Sequence, residues 1–265
     1  MKKKLLIVMG IIPLIFPSLT MRISIGILND SREFLGSIRF PIYELPFIIV
    51  YILLIKLVWQ FNFGFTIKKW AIPVVATTSM LATVVGNIVA SKSLDTIFHQ
   101  LPIGQIFVAL IVSLVSSLII GLFEETIFRG VIFNYFSHVF RKSNYQFLYS
   151  ALLSSLIFGL IHLGNTLYGG QNLAYTLYQV IYAAAMGFLF AAVYVKTKSI
   201  IVPIILHALI DWSDLFFNLS GEPDMSGANW LPISVTLTLT VLYIASDIII
   251  YRSVKNEKLG SIGFK

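Results

Sequence analysis

The chain has 265 residues, of which 57% are hydrophobic and 12% charged, with a mean hydropathy of +0.88. A soluble surface of this size needs more polar side chains than that, so lipid must solvate most of the molecule. The net charge of +7 sits in short basic clusters between apolar runs, which argues against a nucleic-acid partner, and the lack of cysteine excludes disulfides, thiolate metal sites and thiol nucleophiles.

Runs of roughly 18 to 25 apolar residues span a bilayer as helices, and eight candidates follow in order. Leu5 to Leu19 is short, contains Pro13 and Pro17, and follows Lys2, Lys3 and Lys4 as a signal peptide's apolar core would. No small-x-small cleavage site comes after it, so an uncleaved first span is predicted. Phe40 to Trp59 and Ala71 to Ala90 come next. The fourth is centred between Ile106 and Phe136, inside an apolar and aromatic stretch from Ile103 to Phe140 that is about 57 Å long at 1.5 Å per residue. That exceeds one crossing, so a surface stretch followed by a tilted or kinked span is expected. Phe147 to Leu163, Leu173 to Val195, Ile200 to Leu219 and Leu231 to Tyr251 complete the set. No linker or internal repeat divides residues 1–265, which read as a single all-α membrane domain of about eight transmembrane helices.

Loop charge tests that count, because a miscounted span would scramble the alternation of basic and non-basic loops. Lys2 to Lys4, Lys68 and Lys69, Arg141 and Lys142, Lys196 and Lys198, and Arg252, Lys255 and Lys258 all fall on one side. The other side holds Lys92 with Asp95, the uncharged turn from Gly164 to Asn172, and Glu222 with Asp224; its first loop, with Arg22, Arg32 and Arg39 against Asp30 and Glu33, is the exception. The expectation is a multi-pass protein of the cell membrane with both termini cytoplasmic.

Ionisable groups inside spans are costly in lipid and mark candidate sites. They are Glu124, Glu125, Arg129, His162, His207 and Asp211, with Asp247, Lys56 and Asp214 nearer to alternative explanations. Glu125 and Arg129 are four residues apart on one helical face, in the better pairing order. Glu124 points about 100° away and is left for another partner. Alone, this hexapeptide is equally consistent with a charged cap at the membrane interface. A single His162 is more often a packing residue, and His207 with Asp211, four residues apart, is more often a polar pair gluing helices. Together they carry more weight, since three spans each supply groups able to converge. Depths counted from the basic turns agree only fairly: Glu124 and His162 lie about 25 to 30 Å from that level, His207 about 14 Å and Asp211 about 20 Å.

Together these elements resemble the CAAX protease and bacteriocin-processing family of intramembrane proteases, also called Abi proteins. The family pattern of Glu-Glu-x-x-x-Arg, Phe-x-x-x-His and His-x-x-x-Asn or Asp is matched by Glu124, Glu125 and Arg129, by Phe158 and His162, and by His207 and Asp211. The resemblance covers residues 111–217, and it implies an eight-helix fold with its site within the membrane. It further implies that Glu124 activates water, that His162 helps position it, that His207 and Asp211 stabilise the oxyanion, and that Glu125 and Arg129 order the site. Asp211 departs from the Asn common in prenyl-substrate members, and a carboxylate cannot donate a hydrogen bond.

Two versions of the chemistry stay open. In one, Glu124, His162 and His207 bind Zn²⁺ with a water in the fourth position; in the other, no metal is used and Glu124 with His162 deprotonates water directly. The expected partners are membrane lipid and a peptide or membrane-protein substrate, with bacteriocin or signalling-peptide processing or self-immunity as the setting suggested by the resemblance. The alternatives are a non-catalytic scaffold or immunity protein that keeps the fold, and a transporter using buried Glu and His as a proton relay.

Overall fold

Apolar runs bounded by proline and polar turns become helices, and the chain builds an all-α membrane bundle from them. The computed structural model describes residues 21–25, 36–41, 44–59, 64–65, 73–91, 94–167, 170–219, 230–257 and 259. The predicted span from Leu5 to Leu19 lies outside them. A short antiparallel hairpin comes first, β1 (Met21–Ile25) against β2 (Gly36–Phe40), with Met21 opposite Phe40. It occupies part of the predicted loop between the first and second spans. Its signal is the alternation of Ile23, Ile25 and Ile38 with arginine and serine, the period-2 pattern of a strand.

The helices are α1 (Glu44–Trp59), α2 (Val74–Ala90), α3 (Ile103–Glu125), α4 (Asn134–Val139), α5 (Gln146–Ile161), α6 (Leu163–Leu167), α7 (Leu173–Thr197), α8 (Ile201–Phe217) and α9 (Trp230–Val254). Each of the last seven predicted spans is thus a helix, with ends shifted by a few residues. Among the described residues, four continuous helical stretches are long and apolar enough to cross a membrane: Ile103–Val139, Gln146–Leu167, Leu173–Thr197 and Trp230–Val254. The long stretch from Ile103 is one continuous helix of 37 residues, in which Thr126–Phe133 winds as a π-helix between α3 and α4.

Helix α7 sits at the centre, buried all round from Gly187 to Val195, and packs against α5, α9 and α8. Around it the usual sorting of a soluble protein is inverted. On α3 the large residues Phe107, Ile111, Val115 and Leu118 face outwards, while Ser113, Ser116 and Ser117 are buried. Lipid is as apolar as leucine, so small residues that let helices approach are the ones worth burying. Two glycines set the closest approaches. A Cβ on Gly159 of α5 would lie 2.5 Å from the Val180 carbonyl oxygen of α7, and one on Gly121 of α3 would lie 3.0 Å from the Ile204 carbonyl oxygen of α8. Three residues beyond these glycines come His162 and Glu124.

The end of the bundle carrying the basic turns is tied together by backbone and side-chain contacts. The Ile200 amide donates to Gly64 O at 3.1 Å, and Lys196 Nζ donates to Ser253 O at 3.4 Å and lies 3.7 Å from Glu257. Away from it, hydroxyl pairs bind α2 to α9: Ser79 with Ser246 at 2.8 Å and Thr83 with Tyr243 at 2.9 Å.

Candidate active site

The approach of α3 to α8 at Gly121 carries the glutamate pair to the middle of α8. Glu125 Oε1 accepts a 2.8 Å hydrogen bond from His207 Nδ1 and forms a 2.9 Å ion pair with Arg129 Nη1. All three are almost inaccessible: Glu125 is 0%, Arg129 1% and His207 2% exposed. Arg129 also donates from Nη2 to Gly187 O at 3.2 Å, and its guanidinium lies 4.5 Å from the Phe158 ring and 5.4 Å from the Phe190 ring. A buried guanidinium needs its charge met in this way; among its nitrogens Nη2 has the carbonyl, Nη1 meets Glu125 as an ion pair, and Nε has no hydrogen-bond partner.

The other side of His207 meets two half-buried carboxylates. Its Nε2 lies 3.4 Å from Asp211 Oδ2 and 3.7 Å from Glu124 Oε2, and both carboxylate side chains are 25% exposed. These separations give attraction without a good hydrogen bond, so Nε2 retains the capacity to bond an incoming oxygen. His162 caps the end of α5, where its Nδ1 donates to Phe158 O at 2.8 Å and Nε2 is left as an acceptor. The Phe158 ring packs near both imidazoles, its centroid 5.1 Å from that of His162 and 5.8 Å from that of His207, with its plane nearly perpendicular to each. All six candidate residues therefore gather around Phe158 and His207. Within the group, Glu124 is nearer to His207 than the sequence reading placed it, while among the described residues His162 forms no ion pair with either glutamate.

The π-helical winding begins at Thr126, immediately after Glu125. Such wide turns leave backbone carbonyls without their usual partners and often mark functional sites. Here side chains supply the missing donors. Asn134 Nδ2 donates to Arg129 O at 2.8 Å and Gly130 O at 3.1 Å, and Ser154 Oγ donates to Phe128 O at 3.0 Å. The Asn134 amide is itself 3.2 Å from the Tyr194 hydroxyl. Asn134, Ser154, Phe190 and Gly187 carry no ionisable group, so the cost of charge in lipid does not point to them. The signal available was an asparagine and a serine inside apolar runs.

Among the described residues, no three His, Asp or Glu side chains are arranged so that they could hold a metal ion. Glu124, His162 and His207 do not form a ligand set as they stand. The residues present do not fit a bound Zn²⁺. Of the other ionisable groups, Asp247 lies on α9 with Oδ1 buried and without a hydrogen-bond partner, and Lys56 is exposed on α1.

Residues 106–213 match the family of type II CAAX prenyl endopeptidases, Rce1-like. The resemblance read from the three motifs is borne out over that segment, which contains every one of the six residues. A 98-residue stretch is also 36% identical to a Bacillus subtilis (strain 168) protein named "Putative membrane peptidase YdiL", covering 37% of this chain and 33% of that protein. The chain thus matches about a third of the length of that curated relative. No solved structure matches.

Proposed function

We propose that the protein is an intramembrane endopeptidase that hydrolyses a peptide bond in a membrane-associated protein or peptide. The observation that carries this reading is the division of one charge cluster into a sealed half and an accessible half that meet at His207. Glu124 is the base. It takes a proton from a water whose oxygen attacks the substrate carbonyl carbon, and later returns that proton to the departing amine as the C–N bond breaks. His162 Nε2 accepts from the same water and fixes its position. His207 Nε2–H donates to the oxyanion that forms on the carbonyl oxygen. Asp211 cannot donate as a carboxylate, so its part is to hold the Nε2 side of His207 rather than to bind the oxyanion itself. Glu125 and Arg129 position the imidazole through Nδ1.

The substrate reaches the site from the membrane, and the basic loops imply that both termini face the cytoplasm. Processing of a short secreted or membrane-active peptide is the setting that the bacterial resemblance suggests. The test is reconstitution of the purified protein in liposomes with a membrane-peptide mixture, followed by mass spectrometry for new peptide termini. Termini produced by the native chain and absent with Glu124→Gln support the reading; identical products from both proteins, or none from either, remove it. Protection or partner binding that survives combined substitution of Glu124, His162 and His207 would instead favour a non-catalytic scaffold or immunity protein.

A further inference from the structure

A cleft shares a residue with the charged centre. It runs half-open between α2, α7, α8 and α9, and Asp211 forms part of its lining. Its rim comes from one end of those four helices. Ala90 is the last residue of α2, Tyr175 lies in the first turn of α7, Asn218 caps α8, and Pro232 lies in the first turn of α9. These are the helix ends opposite the basic turns. From that end the lining reaches roughly 9 Å along α9 at Thr236, roughly 9 Å along α8 at Asp211 and about 14 Å along α7 at Tyr182. The cleft therefore descends from that end of the bundle to the level of the site.

Burial increases in the opposite direction. Glu124, His162 and Asp211 are half-buried. Within about one turn towards the basic ends, Glu125, Phe158 and His207 are almost inaccessible. Further along, Phe133, Tyr194 and Leu206 are buried too, with the Phe133 and Tyr194 rings 6.1 Å apart. Side chains packed at the density of a protein interior leave no passage for a peptide segment. The same end is closed by the bond from the Ile200 amide to Gly64 O.

We infer that the substrate segment enters the centre through this cleft, from the membrane face opposite the basic turns. What enters rests on the endopeptidase reading; the route itself can be tested without cleavage. With the basic turns cytoplasmic, that face is the outer one. The substrate class is then an exported or membrane-inserted peptide whose cleaved bond lies outside the cytoplasm, not the tail of a cytoplasmic protein. A segment arriving this way passes Asp211 before its carbonyl meets His207 Nε2, 3.4 Å beyond.

The chain contains no cysteine, so single cysteines report access in the full-length protein. Ala90→Cys marks the rim, Thr236→Cys the wall and Asp211→Cys the floor, while Asn144→Cys marks the basic turn after Arg141 and Lys142. A membrane-impermeant methanethiosulfonate is applied to spheroplasts and to inverted membrane vesicles, and modification is followed by intact-protein mass spectrometry. Ala90→Cys, Thr236→Cys and Asp211→Cys are expected to react at least ~10-fold faster from the face that leaves Asn144→Cys unmodified. Should a variant melt early, Val235→Cys and Ile210→Cys line the same wall and floor.

Reaction of the wall and floor cysteines from the same face as Asn144→Cys, from both faces alike, or from neither overturns the inference. So does reaction of Ala90→Cys and Thr236→Cys without the floor cysteine, which would make the cleft a surface hollow separate from the centre. The liposome cleavage assay on the cysteine-free chain separates the two claims. The expected labelling without new peptide termini leaves the route standing and breaks the endopeptidase reading; new termini with the reversed labelling do the opposite.

Discussion

The two sides of His207 differ in almost every physical respect. On the Nδ1 side, Glu125 and Arg129 are dry, mutually bonded and packed under Phe158 and Phe190. On the Nε2 side, Glu124 and Asp211 are partly exposed and stand off at 3.7 and 3.4 Å. The contrast teaches that adjacent glutamates in one sequence motif can have opposite duties, one holding geometry and the other left available for chemistry. Substitution on the first side should therefore damage the fold, and on the second side the reaction.

The largest effect is expected at Glu124. Glu124→Gln should lower cleavage of a membrane-anchored peptide by ~10²- to 10⁴-fold, with thermal unfolding unchanged. A large drop in melting temperature would erase the distinction. Next comes Arg129→Ala, which leaves Glu125 buried without its guanidinium partner and should cost ~3–5 kcal/mol of stability. Replacing Glu125 and Arg129 together by leucine and methionine should recover most of that stability without restoring cleavage, as followed by denaturation and peptide assay side by side. Gly159→Ala forces α5 away from α7 and should cost ~1–3 kcal/mol, read as reduced melting temperature. The smallest effect belongs to Asp211→Asn, which preserves shape on the accessible side and should change cleavage by less than ~10-fold with no loss of stability. A loss as deep as that of Glu124→Gln would move Asp211 into the reacting set.

Much of this was legible in the sequence because lipid makes its demands in simple terms. Length and hydropathy located seven of the helices, from Phe40 to Tyr251, and the cost of charge in lipid picked out all six clustered residues. What stayed hidden was pairing. Depth counted along regular helices put His207 well away from Glu124, yet His207 bonds to its neighbour Glu125. Counting residues gives no crossing angle, and nothing in a run of isoleucine and phenylalanine announces that Thr126–Phe133 will wind more widely. The partners of that winding were equally silent, since Asn134 and Ser154 are neutral and so drew no attention as costly charges.

The wide winding has a consequence for how this stretch tolerates changes in length. Losing one residue between Thr126 and Phe133 would let the ordinary winding close, and because a wide turn holds about one residue more than an ordinary one, the helix on either side would keep nearly its present facing. Losing one from the regular winding of α3 would instead turn one end of the long helix by about 100° relative to the other. The stretch beside the charged centre is thus the place where a shortened chain least disturbs the facing of Glu124 and Glu125 towards His207.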